Sequence, residues 1–135
     1  MENNFSRMKD DILGKNYSLS IALVDEKKSR EINKKYRNKD KPTSILSFAL
    51  SKNTGELILC EEIIKKELKK FNKTFRQLLG FLVIHGMLHL KGMEHSSRME
   101  EAEAKYDQKY FYRNRHRVVH DAGRGRRIFK RRKKS

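Results

Sequence analysis

The stretch from Leu78 to Leu90, LLGFLVIHGMLHL, has apolar side chains on every side when wound into an α-helix. Such a helix offers water no polar face, so it belongs at the centre of whatever the chain builds. It is shorter than the roughly 20 residues that cross a bilayer, and it carries two histidines, so it reads as a core helix and not a membrane span. Everything else must wrap around it. With 135 residues, 37% of them charged, the chain holds apolar material for one core and one domain.

The surrounding pattern alternates between helix and strand. Phe5, Met8, Ile12 and Leu13 fall at helical spacing, predicting a first helix that ends near Gly14. Tyr17, Leu19, Ile21 and Leu23 alternate as in a strand, and Asp25 is suited to cap a surface helix from Glu26 to Arg37. The segment Lys39-Asp40-Lys41-Pro42 breaks that helix. Two short strands follow, around Ile45–Phe48 and Glu56–Cys60, with Asn53-Thr54-Gly55 as the turn between them. Ile63, Ile64, Leu68 and Phe71 share a helical face. Thr74 can cap the central helix from Phe75 to Leu90, and a last helix runs from about Ser96 to Tyr112.

Charge divides the chain in two. The 33 Lys+Arg against 17 Asp+Glu give a formal net of +16, and residues 113–135 hold 11 of the cations with one acid, Asp121. We read residues 1–112 as the folded domain and residues 113–135 as a basic tail. After Asp121 its only apolar residues are Ala122, Ile128 and Phe129, too few to offset the entropy of ordering it, so it is expected to be disordered. Such an arm neutralises phosphates and adds salt-dependent affinity for nucleic acid. The lone Cys60 cannot form an intramolecular disulfide, and the opening MENNFSRMKDD lacks the apolar core of a secretory signal; both fit a cytoplasmic address.

The chemistry concentrates between His85 and His95, in HGMLHLKGMEH. His85 and His89 stand four residues apart, so a helix stacks them on one face. Two imidazoles so placed can share one metal ion, each at about 2.0–2.1 Å. Gly92 tolerates positive φ and can end the helix and turn the chain, bringing His95 within reach as a third nitrogen ligand. Three nitrogen ligands leave one position of a tetrahedral site for water, the form of a catalytic zinc centre. His116 and His120 have the same spacing, but Arg113, Arg115 and Arg117 around them would repel a cation. Zinc proteases place a glutamate directly after the first histidine as general base; here that position is Gly86, so the usual proton acceptor of peptide hydrolysis is missing.

Three blocks together resemble one family. HGMLHLKGMEH is similar to the H-G-x-L-H-L-x-G-x-D-H motif of the YbeY family, bacterial metal-dependent endoribonucleases of ribosomal RNA maturation. NKKYRNKDKPTSILSF, from Asn33 to Phe48, is similar to the family's Y-R-x-K-D-x-P-T-D-V-L-S-F segment, and TGELILC, from Thr54 to Cys60, to its L-G-D-I-V-I-C. The chain departs from these motifs at Ser44, Glu56, Met93 and Glu94, none of which is an expected ligand. The resemblance implies an α+β fold with a small mixed sheet and the His-bearing helix at its centre. It implies one zinc ion on His85, His89 and His95, and a functional arginine at Arg37; Lys39 and Lys41, close to Arg37 in the chain, are expected to line the same cleft. It further implies single-stranded RNA as substrate, maturation of the small-subunit ribosomal RNA 3′ end, and contact with the ribosomal subunit or its associated proteins.

In that expectation His85 takes part in catalysis as a ligand, and Arg37 holds the scissile phosphate through its planar fork of donors. Two other classes fit parts of the pattern. One is a zincin-like metallopeptidase, favoured by the histidines and opposed by Gly86. The other is a non-catalytic ribosome-assembly module whose zinc only holds the fold.

Overall fold

The computed structural model describes residues 2–94 and 96–112. Among the described residues, five helices and one three-stranded sheet form: α1 (Glu2–Ile12), β1 (Ser18–Leu23), α2 (Glu26–Arg37), β2 (Ile45–Ser51), β3 (Thr54–Leu59), α3 (Glu61–Glu67), α4 (Phe75–Leu90) and α5 (Ser97–Phe111). A single 3-10 turn, Leu68–Lys70, extends α3. The predicted basic tail, residues 113–135, lies outside the described residues, as does His95.

Local chemistry sets the helix ends where the sequence suggested. Asp25 caps α2 by accepting from the Lys28 N–H. Thr74 opens α4 with a capping box, its hydroxyl accepting from Gln77 N while the Gln77 side chain accepts from Thr74 N. Ser96 accepts from Met99 N at the start of α5. Asn38 ends α2 at φ 61°, a left-handed conformation that asparagine tolerates.

The sheet order is β1-β3-β2, with β1 parallel and β2 antiparallel to β3, which makes it mixed. One expectation fails in detail. Thr54 and Gly55 belong to β3, pairing with Ser51 and Ala49, so the hairpin turns at Lys52-Asn53 and not over Asn53-Thr54-Gly55. Ladder pairing outweighs the turn preference of Gly55, whose missing side chain instead admits the Tyr17 hydroxyl and Leu90.

Helix α4 lies in the middle, as its all-round apolar surface requires. Leu78, Phe81, Val83, Ile84, Met87 and Leu88 are each 0–1% exposed. It packs against the sheet on one side and against α1 and α5 on others. Gly86 is the point of close approach: a Cβ there would lie 2.7 Å from Leu57 Cδ2 and 3.0 Å from Ile45 Cδ1. Gly80 does the same for α5, since the ring of Phe111 occupies the space its Cβ would fill.

Candidate metal centre

The C-terminal half of α4 carries the chemistry. Its last turns bring His85 and His89 together with ring centroids 4.6 Å apart and planes at 84°, and their Nε2 atoms lie 3.1 Å apart. Both rings are half-buried in an otherwise apolar helix. Two nitrogens bound to one tetrahedral ion at about 2.0–2.1 Å would lie roughly 3.3 Å from each other, so the pair is spaced as two ligands of one cation. The donor set, two imidazoles, suits zinc and other borderline transition metals.

What ends α4 also shapes the site. The Lys91 ammonium donates to the Ile12 carbonyl, joining the end of α4 to the end of α1. Gly92 has φ 102°, the left-handed region that favours glycine, and its N–H bonds to His89 O while Met93 N bonds to Leu88 O. Helix α4 thus ends in a left-handed cap three residues before His95. Among the described residues no group of three metal-binding side chains assembles, and His95, the expected third ligand, is outside them.

A residue that the sequence patterns did not single out stands behind His85. Glu103 of α5 is 1% exposed, and its carboxylate meets His85 Nδ1 in a short contact. The only trace in the sequence is a pair of acids, Glu103 and Asp107, in the same helical stripe as Met99; all three are buried. Asp107 faces Lys73, with 3.7 Å between Oδ2 and Nζ and both side chains under a tenth exposed. Lys73 also donates to the Tyr112 hydroxyl. Burial pushes the Asp107 carboxyl up to about 6, against the pull of Lys73 and with a further push from Glu103.

Arg37 lies in the exposed last turn of α2. Its Nη2 donates to Ser47 O at 2.8 Å and its Nη1 to Tyr36 O, while its guanidinium lies 4.7 Å from the centroid of the Phe48 ring. Strand β2 connects it to the histidines: two residues before Ser47, Ile45 packs on Gly86, the neighbour of His85. Lys39 and Lys41 are exposed in the loop after α2, held by backbone bonds to Asn33, whose Nδ2 donates to Lys41 O and whose carbonyl accepts from Lys39 N. The structure therefore brings His85 and His89 together directly, and ties Arg37 to the same strand that supports their helix.

The model of the family described as Endoribonuclease YbeY matches residues 2–115. The chain belongs to the YbeY family. Proteins named Endoribonuclease YbeY from Colwellia psychrerythraea and Staphylococcus carnosus are 42% and 36% identical to it, over 64% and 63% of this chain and 61% and 63% of theirs. The one from Buchnera aphidicola is 40% identical over 71% of this chain and 72% of its own length. The match thus spans somewhat under two thirds of the first two YbeY proteins. The solution structure of TM1509 from Thermotoga maritima superposes with a TM-score of 0.62 at 31% identity, covering 85% of this chain and 84% of that one. The α+β fold expected of a YbeY protein is the fold observed.

Proposed function

We propose that this protein is a metal-dependent endoribonuclease that cuts single-stranded RNA, acting in maturation of the small-subunit ribosomal RNA 3′ end. The observation that carries the reading is the convergence of His85 and His89 through Nε2 on one face of α4, within a chain of the YbeY family. In this reading His85, His89 and His95 hold one zinc ion. Bound there, zinc supplies a Lewis acid that polarises a phosphoryl oxygen and lowers the pKa of water from about 15.7 toward 7.

The chain's own residues do the rest. His85 and His89 present their Nε2 lone pairs to the ion, and Gly92 turns the chain so that His95 can complete the set. Arg37 offers five N–H donors, of which two bonds to Ser47 O and Tyr36 O fix its orientation, and it engages the phosphate of the substrate. Lys39 and Lys41 add positive charge along the RNA backbone. Residues 113–135 add sequence-blind phosphate contacts as a separate arm from the domain of residues 1–112. The ribosomal subunit, or proteins bound to it, supplies the RNA in its single-stranded form.

Gly86 counts against the peptidase reading on physical grounds. The position where a zinc protease carries its glutamate faces the sheet, where an added Cβ would lie 2.7 Å from Leu57 Cδ2 and 3.0 Å from Ile45 Cδ1. The test is metal content by elemental analysis together with cleavage of a single-stranded RNA. Wild type is expected to carry one zinc per chain, and His95→Ala substantially less. His89→Ala is expected to keep its far-UV circular dichroism and lose RNA cleavage by more than about 100-fold. Loss of the dichroism along with the metal would instead make the zinc a structural element; casein digestion abolished by His85→Ala would make the protein a peptidase.

A further inference from the structure

We propose that Glu103 is a positioning residue of this centre: its carboxylate holds the proton of His85 on Nδ1 and leaves Nε2 as the lone pair directed at the metal. The inference rests on the reading of His85 and His89 as ligands and adds to it the group that fixes the tautomer of His85. As a carboxylate, Glu103 accepts hydrogen bonds and donates none, so in this proposal the nitrogen it touches carries the hydrogen. Glu103 touches Nδ1, and the other nitrogen of the same ring, Nε2, faces His89 Nε2 at 3.1 Å. With the proton held at Nδ1, Nε2 of His85 can accept from His89 when no cation is present and bind a cation when one is. The opposite tautomer would aim a hydrogen into the space between the two rings.

Packing sets the place of Glu103 independently of any ion. Helix α5 is held against α4 on both sides of it, by Met99 at 1% exposure and by Phe111 lodged in the notch at Gly80. Between these anchors α5 turns Glu103 and Asp107 inward one turn apart. The two acids meet different partners, Asp107 the Lys73 ammonium and Glu103 the His85 ring. A carboxylate this buried is costly without a hydrogen bond, so its presence behind a histidine is a specific arrangement and not a solvated surface acid. Negative charge behind the ring also makes Nε2 a better donor to a metal, an effect whose loss typically weakens binding roughly 10–100-fold.

Two measurements test this. Ring 15N spectra of the metal-free protein at pH 8 should show His85 protonated at Nδ1 and bare at Nε2; protonation at Nε2 would overturn the proposal whether or not any variant folds. Zinc affinity by competition with a chromophoric chelator should fall roughly 10–100-fold in Glu103→Gln, which keeps the shape and removes the charge, with circular dichroism unchanged. It should fall further in Glu103→Leu, which removes the acceptor as well. Equal zinc affinity in wild type and Glu103→Gln would sink the positioning role. A wild type that binds no zinc would defeat the metal reading, while the spectra would still report the tautomer.

Discussion

At the scale of single residues, the molecule places ionisable groups where water does not reach, and at Asp107 this makes stability depend on pH. Its carboxyl is raised to about 6 from an ordinary value of 3.8, by burial first, while Lys73 pulls it down and Glu103 pushes it up. The folded state therefore holds a proton between about pH 4 and 6 that the unfolded chain has released. This group's contribution to stability grows as pH falls through 6 and levels off below 4. Between pH 7 and pH 5 the gain is about 1 kcal/mol. Urea unfolding of wild type and Asp107→Asn across that range should show their stability difference moving by about that amount in favour of wild type at the lower pH. A difference that stays constant would mean that Asp107 titrates as it does in the unfolded chain. Comparing the two proteins removes the contributions that both share.

At the scale of elements, three contacts seat α4 against its neighbours. Gly86 lets α4 lie on Leu57 and Ile45, Gly80 lets Phe111 of α5 reach α4, and Lys91 ties α4 to the end of α1. Gly80→Val would put two methyl groups where the Phe111 ring sits. The ring must leave, and α5 loses the anchor beyond Glu103. The expected cost is about 1–3 kcal/mol in chemical denaturation, as for other overpacked core positions. The same variant should bind zinc more weakly than wild type, because Glu103 is displaced with its helix. Unchanged stability would show that Phe111 finds another seat at no cost. The hairpin between β2 and β3 makes the complementary point: Gly55 looked like a turn residue, but the ladder takes it, and the turn moves back to Lys52-Asn53.

At the scale of the whole molecule, charge is unevenly distributed along the chain. Residues 1–112 carry a net of +6 and residues 113–135 a net of +10. If the tail is an arm for phosphates, removing residues 123–135 deletes eight Lys+Arg, weakens RNA binding and reduces the slope of affinity against salt concentration. Filter binding at several salt concentrations measures both. Equal affinity and equal slope in the truncated protein would reject the arm. Zinc content should stay the same in either case, since His85 and His89 lie in α4, within the body of the fold.

The sequence by itself determined the central helix, its caps and the pairing of His85 with His89. Each of these comes from spacing along one helix or from side chains that bond their own backbone, and needs no knowledge of what lies across the core. It also carried the family, through three motifs in order. Only the tertiary structure decided that Glu103 stands behind His85, 18 residues away, because that depends on how α5 seats against α4 through Phe111 and Gly80. It alone showed that Arg37 is fastened to Ser47 O and Phe48, and that a side chain at position 86 would press on Leu57 and Ile45. Local patterns are written in periods of two or three to four residues. The register between distant elements is set by packing volumes and buried polar partners, which no short stretch of sequence contains.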